Sequence, residues 1–509
     1  MRTLLGIDVG TSSVKAVLFN PDAGKVEAAV AQEYPLHKPA PSFAEHQPED
    51  WWQAAAAAVR KALASTPAAE VKAIGLCGQM HGTAFLDRAG VSIRPAIIWA
   101  DQRSGEECSE LLDLVGAGRF SSITGTLPAA GFAAPTLLWL RKHEPVTLDR
   151  THMLLLPKDY VRYHLTGELG TDASDAAATA LFDISIKAWS PEIVQTVGIS
   201  RSILPPIHDS SAVVGRLTKN AAAALGLPAG VPVVTGCADQ PAQALTNGLI
   251  SQGRASVTVG SGGQVFVPVA PDHVAGFPFR LPTDPRVHVF NHALPSLWYV
   301  LGATLNAGLS LRWLRGLLGK SAEGSEAYAQ FSRETAETEP GADGLLFLPY
   351  LTGERTPHMD SRARGSFVGL SYHHELGHLA RAVMEGVAFS LHEALNISIA
   401  IGGSVETVVA AGGAMDSPVW RQIMADVLSI PLHQTGFSET TGIGAALLAG
   451  VGCGIYSTYG EACALTSRTV QVTEPNPAHR ARYDALFARY QGLYPKLRDD
   501  FHALSDGVG

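Results

Sequence analysis

Asp8, followed by Gly10, Thr11, Ser12 and Ser13, stands between two apolar runs, Leu4-Leu5-Gly6-Ile7 and Val14-Lys15-Ala16-Val17-Leu18-Phe19. This pattern predicts a β-hairpin with a polar tip. The tip suits polyphosphate, because glycine lets backbone approach a ligand closely and the three hydroxyl residues add O–H and N–H donors for phosphate oxygens. A carboxylate beside polyphosphate is repelled unless a cation lies between them, so Asp8 implies Mg²⁺ held directly or through a retained water. The same residue types are ordinary turn formers, and a hairpin whose acid and glycine serve only the turn is the plain alternative.

A second tip of the same kind, Gly260-Ser261-Gly262-Gly263, lies between Ala255-Ser256-Val257-Thr258-Val259 and Gln264-Val265-Phe266-Val267. Two like tips half a chain apart suggest two related halves, each offering one phosphate hairpin to a shared cleft. A third glycine site, Gly412-Gly413-Ala414, ends the apolar run Val408-Val409-Ala410-Ala411 ahead of a helical stretch. There, close backbone packing suits a nucleoside, and a helix N-terminus favours negative charge. The P-loop pattern G-x-x-x-x-G-K-[ST] is absent, so phosphate binding must come from the hairpins.

Two further groups follow predicted strands. Val71 to Cys77 delivers Gln79, Met80, His81 and Gly82 to a loop beyond a strand end, where ligands bind in open α/β sheets. Val231 to Gly236 presents Asp239 and Gln240 ahead of a helix of small residues. Asp239 is there either a helix N-cap or an acid aimed into the cleft.

The elements that must position these groups alternate strand and helix through the first half, with a helix expected from Pro48 to about Leu63. In the second half, Asn291–Leu294 and Trp298–Gly302 read as a strand pair, Asn306 opens an amphipathic helix, and Leu379 to Ser398 forms a long one. Tyr483, Phe487, Tyr490, Tyr494 and Leu497 fall at helical spacing, as core or as a dimer surface. At 509 residues, 46% hydrophobic and 17% charged, the chain exceeds one core and divides into two domains, expected at 1–248 and 249–509. A net charge of −9 argues against nucleic-acid or anionic-membrane partners. Five scattered cysteines without C-x-x-C spacing read as reduced thiols. With no signal-like or spanning segment, a cytoplasmic protein is expected, and a homodimer is compatible with it.

The three glycine sites resemble those of the FGGY family of carbohydrate kinases. They occur in order with Gly78-Gln79-Met80-His81-Gly82, Trp99-Ala100-Asp101-Gln102-Arg103, Leu156-Pro157-Lys158-Asp159-Tyr160, Ala238-Asp239-Gln240 and Phe347-Leu348-Pro349-Tyr350-Leu351-Thr352-Gly353-Glu354-Arg355-Thr356-Pro357. The resemblance implies an α/β fold of two duplicated, ribonuclease-H-like domains of the actin-like ATPase kind, with ATP and sugar in the interdomain cleft. It implies ATP and Mg²⁺ as cofactors, a small sugar as partner, and Asp239 as general base. Gln79, Met80, His81 and Gln240 would meet the sugar. Asp101 and Arg103 either join them or form an ion pair beneath. Gly10 to Ser13, Gly260, Ser261, Gly262, Asn306, Gly412, Gly413 and Ala414 would hold ATP, with the metal at Asp8. The loop at 79–82 resembles one that contacts a ketose, D-xylulose foremost, with another ketose, a polyol or a sugar acid as alternatives and a silent sugar sensor behind those. Two departures stand out: Gln240 replaces the asparagine expected in a xylulose-specific member, and Gly260-Ser261-Gly262-Gly263 replaces the family's Gly-Thr-Ser-Gly. Arg355 and Glu354 read as structural.

Overall fold

The structure is a computed structural model, and it describes residues 1–67, 69–270, 284–317 and 325–506. Its frame is two mixed sheets built on one plan. In the first, Arg2–Val9 and Ser13–Asn20 form the expected hairpin, Lys25–Glu33 adds an antiparallel edge, and Glu70–Gly78 pairs parallel with Arg2–Val9 on the other side. In the second, Gly253–Val259 and Gly263–Val269 form the hairpin, Trp298–Thr304 adds the antiparallel neighbour, and Val405–Ala411 pairs parallel with Gly253–Val259. The central strands are apolar nearly throughout and buried on both faces, as parallel strands under helices must be.

Register is what gathers the chemistry. Asp8 pairs with Cys77 and Val9 with Gly78, while Cys237 and Ala238 pair with Cys77 and Gly78 from the other side. The carboxyl ends of three strands therefore finish flush, with Gln79 and Asp239 each following a paired position and Asp8 two positions earlier, level with Cys77 and Cys237. In the second sheet Thr258 pairs with Ala411, so the second phosphate tip and Gly412 also leave together.

The halves are joined by two helices, Asp239–Thr246 and Thr440–Gly452. The latter lies late in the chain yet packs on the first sheet, against Arg2–Val9 and Glu70–Gly78. Glycine makes this approach possible. A Cβ on Gly6 would lie 1.8 Å from the Gly442 carbonyl oxygen, one on Gly75 1.9 Å from that of Ala445, and one on Gly444 1.9 Å from that of Ala242. Such contacts leave no room for even a methyl group.

The remaining expectations resolve locally. The helix predicted from Pro48 runs Pro48–Ser65, the long helix runs Leu376–Gly402, and the tyrosine stripe is split at Gly492 into Arg480–Gln491 and Leu493–Asp506. Tyr483 and Tyr490 are buried, so the stripe is core. Among the described residues no helix is long and apolar enough to cross a membrane. We predict that Gly444→Ala lowers stability by roughly 1–3 kcal/mol, read as a lower denaturation midpoint; an unchanged midpoint would refute backbone-to-backbone packing at the junction.

Candidate functional site

Asp8 and Asp239 form the floor of the cleft. Thr441, on the junction helix, donates its hydroxyl to Asp8 Oδ2 at 2.6 Å. Asp8 Oδ1 and Asp239 Oδ1 are buried and have no hydrogen-bond partner. Asp239 is not an N-cap, because Ala238 occupies that position and Asp239 is the first residue inside the helix. Burial, and after it the charge of Asp8, pushes the Asp239 carboxyl up to about 7. Asp8 is also raised, by burial, against the opposing Thr441 hydrogen bond. Two carboxylates with unpartnered, buried oxygens at the ends of strands in one sheet form a cation-seeking and proton-accepting floor.

The first phosphate tip is held open by its neighbours. The Gly10 amide bonds the Ser13 carbonyl at 3.1 Å, and the Tyr34 hydroxyl donates to the Gly10 carbonyl. Thr11 is braced from both sides: Trp99 Nε1 donates to its hydroxyl at 2.9 Å, and that hydroxyl reaches Gln79 Oε1 at 3.4 Å. In the second tip Gly260 N bonds the Gly262 carbonyl at 3.0 Å, and Ala307 and Gly308 amides bond the Ser261 and Gly260 carbonyls at 2.9 Å. Gly412 needs to be glycine twice over, with φ of 88° and space for a Cβ only 2.5 Å from the Val259 oxygen. Beside it a cavity of ≈ 540 Å³ runs from Gly260 and Ser261 to Gly413 and Ala414, walled by Leu311, Met384 and Trp420. An apolar slot next to a phosphate tip has the shape and character for a purine base. Asn306 lies outside that wall: it is buried, its Nδ2 donating to the Gly353 carbonyl and its Oδ1 accepting from the Thr352 hydroxyl, both at 3.0 Å.

On the opposite side stands His81, in a left-handed conformation with φ of 73°. Its ring stacks on Phe132 at 3.9 Å and lies 6.3 Å from Phe290 of the second half. His81 Nδ1 lies 2.6 Å from the Ala178 carbonyl, which can only accept, so the proton is on Nδ1 and Nε2 is a free acceptor. Burial drives the ring down to about 3, so it is neutral at working pH. Met80 is buried beside it and Gln240 is partly open. Gln79 is buried too, its amide donating to the Gly10 carbonyl at 3.2 Å, which makes it the tie between the 79–82 loop and the first phosphate tip. Of the two roles open to Asp101 and Arg103, the structure supplies the ion pair: Arg103 bonds Asp101 at 2.8 Å and Glu45 at 2.7 Å, over the Phe43 ring at 3.7 Å. Glu354 is structural as expected, accepting from the Leu305 and Arg355 amides at 2.7 and 2.8 Å.

Sequence reasoning missed Phe132, Phe290, Thr441 and the bracing role of Trp99. Trp99 sits inside a motif that was legible; Thr441, Phe132 and Phe290 carry no local signal, since only tertiary packing brings them to Asp8 and His81.

Two duplicated sheets, a phosphate hairpin on each and an acid at the cleft floor define the actin-like ATPase fold in its sugar-kinase form. The N-terminal domain of the FGGY family of carbohydrate kinases matches residues 3–246 and its C-terminal domain matches residues 255–453. The chain belongs to that family and is a carbohydrate kinase using ATP. It is 35% identical over 501 residues to a xylulose kinase of Bacillus subtilis, covering 98% of each chain. To a xylulose kinase of Escherichia coli it is 38% identical over 447 residues, covering 87% of this chain and 89% of the other. Among solved structures, the xylulose kinase of Rhodospirillum rubrum superposes with a TM-score of 0.91 at 32% identity, covering 98% of this chain and 100% of that one.

The raised Asp239 carboxyl has a stability signature. Its value is about 7 when folded against an ordinary 3.8, so the folded state favours the protonated form and loses stability as pH rises between those values. Asp239→Asn removes this cost. Its melting temperature is expected to exceed wild type at pH 8, with the gain vanishing near pH 4; equal melting temperatures at pH 8 would contradict the assigned burial.

Proposed function

We propose that this kinase transfers the γ-phosphoryl group of ATP to O5 of D-xylulose, with Asp239 as general base. The observation that carries the reading is the Asp239 carboxyl, raised to about 7 beside Asp8 at the floor between two phosphate hairpins. Similarity to xylulose kinases over nearly the whole chain favours the ketose. A neutral, aromatic-backed His81 with a free Nε2 suits a sugar hydroxyl better than a charged group.

In the proposed reaction Asp239 orients the hydroxyl and takes its proton as the oxygen–phosphorus bond forms and the bond to the β-phosphate oxygen breaks, releasing ADP. Gly10 to Ser13 hold the phosphates from one side and Gly260 to Gly262 from the other, with adenosine along Gly412, Gly413 and Ala414. Most of the acceleration comes from this alignment, because phosphoryl transfer asks little covalent work of the protein. Met80, His81 and Gln240 line the sugar side, while Gln79 transmits its position to the phosphate tip. Asp8, with an unpartnered buried Oδ1, fits Mg²⁺, which keeps waters and binds through one carboxylate plus phosphates. When bound, the ion neutralises charge on the β- and γ-phosphates. The domains divide near residue 248, and unpaired thiols at Cys77, Cys108, Cys237, Cys453 and Cys463 accord with a cytoplasmic setting.

The test is ADP release with Mg-ATP against D-xylulose, L-xylulose, D- and L-ribulose, D-gluconate and glycerol. D-Xylulose is expected to exceed the others, with Asp239→Asn lower by roughly 10²- to 10⁴-fold; preference for another sugar overturns the substrate, and no sugar-dependent release leaves a silent sensor. In the same assay kcat/KM for the sugar is expected to fall about tenfold per unit as pH drops below about 7. A profile flat from pH 5 to 8 would remove Asp239 as the base.

A further inference from the structure

Residues 235–238 carry Asp239 into its helix, and one side of the segment is held by the pairing of Cys237 and Ala238 with Cys77 and Gly78. Gly236 has φ of 85° and sits where a Cβ would be 2.3 Å from the Leu76 oxygen, so the segment must contain a glycine. The other side of the segment is held by a buried cluster. Ala238 N donates to Ser174 Oγ at 3.0 Å, and Ser174 Oγ donates in turn to Asp172 Oδ2 at 2.6 Å. The same Asp172 oxygen accepts from Ser210 Oγ at 2.8 Å, while the Ser210 carbonyl accepts from Gly236 N at 2.9 Å. Asp172 thus grips the segment at two points, residues 236 and 238. A third point is Arg162 Nη1, which donates to the Thr235 carbonyl at 3.3 Å.

Behind Asp172 stands Lys158, its Nζ 3.2 Å from Asp172 Oδ1, 2.8 Å from Asp159 and 3.4 Å from Asp175, with Arg162 on Asp159 at 3.1 Å. All five charged side chains are fully buried. Replacing such an assembly with apolar groups commonly leaves stability unchanged or higher, so stability alone is a weak reason to keep one. Orientation is a stronger one. Because the Ser174 proton is committed to Asp172, the hydroxyl can meet Ala238 N–H only as an acceptor, in one orientation.

We propose that Ser174, fixed by Asp172 and Lys158, is a positioning residue that aims Asp239 at the sugar hydroxyl through the Ala238 amide. This rests on Asp239 being the base. The hydroxyl contributes no binding energy to sugar or ATP; it sets the angle at which the base meets its proton.

The test is steady-state kinetics of Ser174→Ala, Ser174→Thr, Asp239→Asn and the Ser174→Ala/Asp239→Asn double variant. Ser174→Ala is expected to lower kcat by roughly ten- to hundredfold while KM for sugar and ATP stays within about threefold, and Ser174→Thr recovers most of the loss. In the Asp239→Asn background Ser174→Ala adds nothing, because there is no base left to aim. An equal loss in both backgrounds, or a wild-type kcat for Ser174→Ala, overturns the proposal. Full activity of Asp239→Asn alone overturns the base assignment instead, whatever Ser174→Ala does. If Ser174→Ala does not fold, Ser210→Ala cuts the tie from Asp172 to the Ser210 backbone that holds Gly236, with the same kcat-only loss expected and an unchanged kcat again overturning the idea.

Discussion

The parallel register of three strands is the constraint on which this molecule depends. Asp8, Gln79 and Asp239 come from widely separated parts of the sequence, and they meet because Val9, Gly78 and Ala238 end side by side. A slip of one residue in either pairing would send each side chain to the opposite face of the sheet. The register is defended by burial: strands covered on both faces cannot shift without moving apolar side chains into polar surroundings. Two carboxyls so placed repel, and part of that repulsion appears as the raised protonation range of Asp239.

Much of this was legible in the sequence because it is local. Both hairpins, their glycine and hydroxyl tips, the third glycine site and the helix after Asp239 are each written within a dozen or so residues, where alternation and turn chemistry carry the signal. What escaped depends on distant partners. Nothing near Phe132 says that it will lie under His81, and nothing near Thr441 says that its hydroxyl will find Asp8 across the junction. Gln79 is the instructive intermediate case. Its place beyond a strand end marked it as a ligand residue, yet its amide turns inward to the first phosphate tip. Position after a strand shows which loop matters, whereas the direction of one side chain is decided by which unpaired donor or acceptor lies nearest.

Charge inside the molecule is handled in two contrasting ways. Around Lys158, opposite charges are packed together out of water within ion-pair distance, with Asp175, whose protonation burial strongly favours, as the surplus carboxyl. At the cleft floor, Asp8 Oδ1 and Asp239 Oδ1 are buried without a hydrogen-bond partner among the described residues. The first arrangement holds geometry, and the second leaves acceptor oxygens unpartnered. His81 follows a third course: burial keeps it neutral, so it offers hydrogen bonding without adding charge.

The helix Thr440–Gly452 belongs by sequence to the second half and by packing to the first. Gly6 and Gly75 of the first sheet bring its strands against this helix's backbone, so that face of the sheet lacks this cover until the segment arrives. On a ribosome moving at about 5–20 residues per second, the first sheet would wait for tens of seconds with an apolar face open. Assembly of the amino-terminal half is therefore completed only after almost all of the carboxyl-terminal half has been made. A fragment cut between the two sheets would inherit that same uncovered face, which makes the two halves one folding unit despite their duplicated plan.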